Sequence, residues 1–152
     1  MLTDANLDSA DLANASLRGA ILRKATFDDA LLSSADLSGA DLSEADFSAA
    51  SLQGIDLRGA NLYKANFNAA TLWGGNLSGA NLKGVIIYLS NFSGSVLNGA
   101  NLEDAFISDS EFSDTDLSGT SLKDAFISDT DFTGANLNRA NLKNTSLDDG
   151  KH

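Results

Sequence analysis

An apolar residue stands at every fifth position from Leu2 to Leu147, thirty times in succession without a slip. Of these stops 21 are Leu, six are Phe and three are Ile. Two residues before each stop the chain favours Ala, as at Ala10, Ala20, Ala40 and Ala100. Ala fills 19 of the 30 such positions from Ala5 to Gly150, and the rest are small apart from Ile55 and Val85. The residue just before a stop is usually Asp, Asn, Ser or Thr, and the two after it are polar or Gly. The repeating unit is A-(D/N)-L-x-x.

A period of five fits neither ordinary element. On an α-helix, steps of about 100° per residue carry successive stops around all sides. On a flat strand an odd period flips each stop to the opposite face. The stops share one interior only if the backbone bends regularly around it, and Asn, Asp, Ser and Gly at the corners suit such bends. The absence of Pro fits too, because stacked coils need every backbone N–H. The bulky stops show how many pentads close a turn. Phe27, Phe47 and Phe67 are 20 apart; so are Phe92, Phe112 and Phe132, and so are Ile87, Ile107 and Ile127. Four pentads therefore make one four-sided coil, and thirty make about seven and a half coils. At ~4.8 Å per coil the rod is roughly 36 Å long. The six Phe read as core columns that move to the adjacent side between Phe67 and Phe92. The stretch 84–97 is the least regular and coincides with that move. It reads as a kink, a packing adjustment or a junction between two ancestral halves.

Runs such as 34–50 (SADLSGADLSEADFSAA) and 59–70 (GANLYKANFNAA) resemble the pentapeptide-repeat family, over essentially the whole chain. The resemblance implies an all-β fold, the right-handed quadrilateral β-helix, in agreement with the four-pentad closure. It also implies a protein of the kind abundant in cyanobacteria, most of which have no known biochemical activity. Its best-understood branch protects or inhibits DNA gyrase by imitating the shape and charge of DNA. Residues 1–150 read as a single solenoid domain, with 151–152 as a short tail.

Composition removes several function classes. With no Cys there is no disulfide framework, thiol nucleophile or Cys-ligated zinc. The one His, His152, excludes a Ser-His-Asp triad and a multi-His metal site. No nucleotide-binding glycine motif is present, and a convex rod offers no cleft for paired carboxylates, so no catalytic residue, cofactor or enzyme activity is expected. A net charge of −11 opposes direct binding to nucleic acid. No apolar run reaches the ~20 residues of a membrane span. With no signal-like segment the cytoplasm is the default compartment. A targeting segment trimmed ahead of Met1 would instead place the chain in a periplasm or thylakoid lumen. Repeats that begin at Leu2 and stop at Leu147 suggest end-to-end association, a terminal turn acting as a cap, or a longer parent chain.

Two surface features remain. Between Asp56 and Glu103 there is no acid, whereas residues 103–131 carry nine acids and one base. Within that run Asp104 and Asp124, Asp109 and Asp129, and Glu111 and Asp131 are each 20 apart. They read as a solvated face, as a DNA-like surface, or as a weak divalent-cation site, although no calcium-loop motif accompanies them. Spread along the rod, −11 is about half the charge density of DNA, which carries one charge per ~1.7 Å. The second feature is an outward apolar stripe. Ile86, Phe106 and Phe126 occupy a normally polar position at intervals of 20, with Tyr88, Leu89 and Val96 near the first of them in sequence. Contiguous exposed apolar surface marks contact sites. The sequence thus reads as a non-enzymatic protein-interaction or structural scaffold module whose contact is the stripe. Its partner is an unidentified protein or a second copy, joined end to end or side to side. The alternative is an acidic DNA-mimic regulator of DNA gyrase or another DNA-binding protein, whose contact is the acidic run.

Overall fold

The computed structural model describes residues 2–148. Each pentad folds alike. The stop points inward, two residues turn, the small residue points inward again, and the next residue bridges to the neighbouring coil. At most corners the turn closes by a hydrogen bond back to the stop, as from Ala60 N–H to the Leu57 carbonyl at 3.0 Å. The second turn residue has positive φ at every corner from Asp4 (56°) to Asn144 (58°), as a type II turn requires where the closing bond is made. Eleven of these corners are Gly, which takes that conformation without strain. Asp and Asn supply many of the others because they tolerate the left-handed region best among L-residues.

The Asp or Asn before each stop has its own reason. Its Oδ1 accepts the N–H two residues on and holds the turn, as from Ser38 to Asp36 (3.0 Å) and Ser118 to Asp116 (3.0 Å). Amides at this position also join coils: Asn81 Nδ2 donates to Asn61 Oδ1, and Asn61 Nδ2 to Asp41 Oδ1, both at 3.0 Å. Backbone bonds complete the stack. Leu22 N–H donates to the Asp41 carbonyl at 2.8 Å, and Asp41 N–H to the Ala20 carbonyl at 2.9 Å. Parallel partners stand 20 residues apart from Asn6↔Thr26 onward. The fold is a right-handed quadrilateral β-helix. On one side the bridges lengthen into strands β1 (Ile86–Tyr88), β2 (Phe106–Ser108), β3 (Phe126–Ser128) and β4 (Ser146–Asp148). They form a parallel sheet in that order, in register Ile86↔Phe106↔Phe126↔Ser146.

The core is a column of Leu around stacked rings. Phe27, Phe47 and Phe67 lie parallel, with centroids 4.8 and 5.0 Å apart. Phe92 stacks on Phe112 at 4.9 Å, and Phe67 meets Phe92 edge-on at 77°. Five of the six core Phe are fully buried; Phe132, near the end of the described stretch, is only partly covered. The ladder runs unbroken through 84–97, so the stack is not interrupted there. The turn on one side changes there. Below it, Ala70 N–H closes the Phe67 turn at 3.1 Å. Above it, Ser90 N–H instead donates to Ser110 Oγ at 3.1 Å. The Ser90, Ser110 and Thr130 hydroxyls bond the carbonyls of Tyr88, Ser108 and Ser128. The same side that opens its turns exchanges Phe for Ile87, Ile107 and Ile127, and the rings pass to the next side. Size compensation appears once more at Ile55. The position one coil above it is Gly75, whose Cβ, if added, would lie 3.3 Å from Ile55 Cγ2.

Candidate functional site

The stripe and two of the three acid columns form one surface. Ile86, Phe106 and Phe126 project from β1, β2 and β3 and are 46%, 42% and 41% exposed. The Phe106 and Phe126 rings stack at 5.3 Å and 9°. Within each coil the chain enters this side at a corner carrying Asp104 or Asp124 and leaves it at a corner carrying Asp109 or Asp129. The apolar stripe is therefore bordered by an Asp column on each edge. Glu111 and Asp131 pair with one another on the next side, around the corner from Asp109 and Asp129. Tyr88 and Leu89 cap the stripe at the latter corner. Leu89 is exposed although its φ of 54° is a strained choice for a branched apolar residue. Val96 bridges Asn76 and Asp116 on the opposite side, so nearness in sequence does not place it with the stripe.

The two borders differ in charge. Lys83 Nζ lies 3.3 Å from Asp104 Oδ2 and 3.4 Å from Glu103 Oε2; Lys123 Nζ lies 2.9 Å from Asp124 Oδ2. The Lys123 contact, with the Asn144 amide, holds the Asp124 carboxyl below the usual range, and Asp104 foremost raises Lys83. These ion pairs were readable in sequence: Lys83 and Glu103 are 20 apart, which counting charge along the chain overlooks. On the other border, Asp109 accepts a hydrogen bond from Ser108 Oγ at 2.6 Å, and among the described residues no Lys or Arg reaches Asp109 or Asp129. Ser108 and Ser128, linked Oγ to Oγ at 3.0 Å, are buried beside the stripe by the opened turn. Asp131 is held below the usual carboxylate range by the Thr133 hydroxyl and backbone N–H. Among the described residues no group of three or more His, Asp or Glu side chains converges to hold a metal ion.

Other exposed apolar residues lie apart from the stripe: Leu137, Leu142 and Leu147 gather with Phe132 at the C-terminal end of the described coils. Ile21 and Leu31, which sequence reasoning passed over, bridge to Asp41 and Ser51. Trp73 stands at another corner; Tyr63 stands one coil below Lys83 at the entry corner of the stripe side and is covered by Lys64 Nζ, 5.3 Å from its ring centroid. No helix among the described residues is long and apolar enough to cross a membrane.

Comparison with known proteins agrees with this architecture. Curated protein sequences yield no match. Among solved structures, QnrB1, a plasmid-mediated fluoroquinolone resistance protein, superposes with a TM-score of 0.72 at 22% identity, over 97% of this chain and 80% of that one. A pentapeptide repeat protein from the Arabidopsis thaliana thylakoid lumen matches at 33% identity and a TM-score of 0.51, over 68% of this chain and 66% of that one. The family model for pentapeptide repeats matches eight copies in overlapping segments, from 2–39 to 110–149. The chain belongs to the pentapeptide repeat family.

Proposed function

We propose that this protein is a non-enzymatic protein-interaction module, and that the face bearing β1, β2 and β3 is its contact surface. One observation carries the reading. Three large apolar side chains in register stay more than two-fifths exposed along the outer face of a parallel sheet. Water disfavours such a surface and a partner that covers it gains the difference. Replacing Phe106 and Phe126 by Asp tests the reading. The expected result is loss of partner capture and of any self-association seen by sedimentation, with the far-UV spectrum retained. Unchanged capture and association would refute it.

The acidic columns favour a second reading, a DNA-mimic regulator of gyrase or another DNA-binding protein. Asp109 with Asp129 and Glu111 with Asp131 repeat at the coil spacing without cationic partners among the described residues. Against it, Lys83 and Lys123 neutralise the Asp104/Asp124 column. A gyrase supercoiling assay at two salt concentrations, with and without a quinolone, separates the two. Mimicry gives inhibition or protection that fades steeply with salt, whereas apolar docking gives none.

A further inference from the structure

The chemistry of the contact face is specific enough to describe its partner. We propose that it receives a basic amphipathic α-helix laid along the solenoid axis. The helix places its apolar stripe on Ile86, Phe106 and Phe126 and its Lys or Arg flank over Asp109 and Asp129. This inference rests on the reading of the face as a contact surface.

Spacing selects a helix. The apolar ladder advances by one coil per side chain, 5.3 Å between the Phe106 and Phe126 rings. Apolar residues three or four apart on a helix advance by ~5 Å along its axis. Same-side residues of an extended strand advance by ~6.6 Å and fall out of step. Strand addition is closed here in any case. The N–H and C=O groups of β1–β3 already pair from coil to coil, as Phe106 N–H to Val85 and Phe126 N–H to Ala105 at 2.9 Å. Charge selects the basic flank. Asp104 and Asp124 are answered by Lys83 and Lys123, but Asp109 and Asp129 face outward with no cation, and Glu111 and Asp131 extend that acidic side around the corner. A second copy of this chain fits poorly. It would bring the same acidic face against this one, within a molecule of net charge −11.

The test is fluorescence anisotropy with three labelled peptides of about 18 residues, long enough to hold a helix. They share a Leu stripe and carry Lys, Gln or Glu on the flanks. The Lys peptide should bind about five- to tenfold tighter than the Gln peptide, the Glu peptide should not bind, and added salt should erase the difference. Phe106→Ser with Phe126→Ser should weaken the Lys peptide about tenfold or more. Asp109→Asn with Asp129→Asn should bring its affinity down to that of the Gln peptide. Asp4→Asn with Asp29→Asn makes the same charge change at two remote left-handed corners and should leave binding intact. Equal binding of the Lys and Gln peptides, with binding lost in the Phe double variant, overturns the basic partner but keeps the contact face. Wild-type binding by the Phe double variant overturns both. Weakening by the remote pair as large as by the Asp109/Asp129 pair, or no binding of the Lys peptide, overturns the basic helix. Circular dichroism confirms that each variant is folded.

Discussion

Removing the central ring of the lower Phe stack is the sharpest probe of what holds the coils together. Phe47 is fully buried, with parallel rings 4.8 and 5.0 Å away on either side. Phe47→Ala loses the transfer free energy of a large side chain and leaves a cavity that Leu neighbours in adjacent coils cannot collapse into. Such changes cost about 3–5 kcal/mol, and the loss of two ring contacts, each worth ~0.5–1.5 kcal/mol, puts this one in the upper half of that range. Phe132 gives the internal comparison. It is only partly covered and has one tilted neighbour, Phe112, at 5.3 Å and 29°. Phe132→Ala should therefore cost about 1–2 kcal/mol, since only part of its area leaves water. For a chain of this length ~1 kcal/mol moves the melting midpoint by about 2–4 °C, so Phe47→Ala should lower it by roughly 8–20 °C. Thermal unfolding followed by circular dichroism reads both variants. A Phe47→Ala shift no larger than that of Phe132→Ala would refute the argument that burial and stacking stabilise the solenoid.

Gly75→Ala should lower stability by about 1–3 kcal/mol, because the new methyl presses on the Leu72 carbonyl and on Ile55, and it should cost less in an Ile55→Ala background; denaturant melts of both single variants and the double measure the coupling. Ser110→Ala installs the residue most common at this inward position. It should nevertheless cost about 1–3 kcal/mol by chemical denaturation, because the Ser90 N–H loses its buried acceptor, while the Ser108 carbonyl keeps only the Leu89 N–H. Acid should weaken the fold through its turn carboxylates. The Ser38, Ser118 and Thr133 hydroxyls foremost hold Asp36, Asp116 and Asp131 below the ordinary value of 3.8. A depressed folded pKa stabilises fully above the unfolded value, and the gain is lost as pH falls through the folded one. Melting midpoints should thus drop below about pH 4. The triple variant Asp36→Asn, Asp116→Asn and Asp131→Asn keeps the Oδ1 acceptors and should show a smaller drop.

Much of this architecture was legible because a solenoid is nearly one-dimensional. A step of five placed every core residue and a step of 20 every neighbour, so the Phe stacks and the Ile86–Phe106–Phe126 ladder followed from counting. What escaped was set by local chemistry that counting does not weigh. Ser90 and Ser110 look like ordinary small inward residues, yet their hydroxyls replace the turn-closing bond on the side where Ile takes the place of Phe. Val96 looked adjacent to Ile86, but two corners of the coil carry it to the opposite side. The acidic run looked uniform until Lys83 and Lys123 were found against one of its columns.

The contact face itself is tested most directly by amide chemical-shift mapping of the 15.8 kDa protein titrated with the Lys-flanked helical peptide. Shifts should concentrate at Ile86–Leu89, Asp104–Asp109 and Asp124–Asp129, leaving the acidic lower coils around Asp4, Asp8, Asp28 and Asp29 unmoved. Shifts spread over all acidic corners, or gathered at another side of the solenoid, would contradict the account.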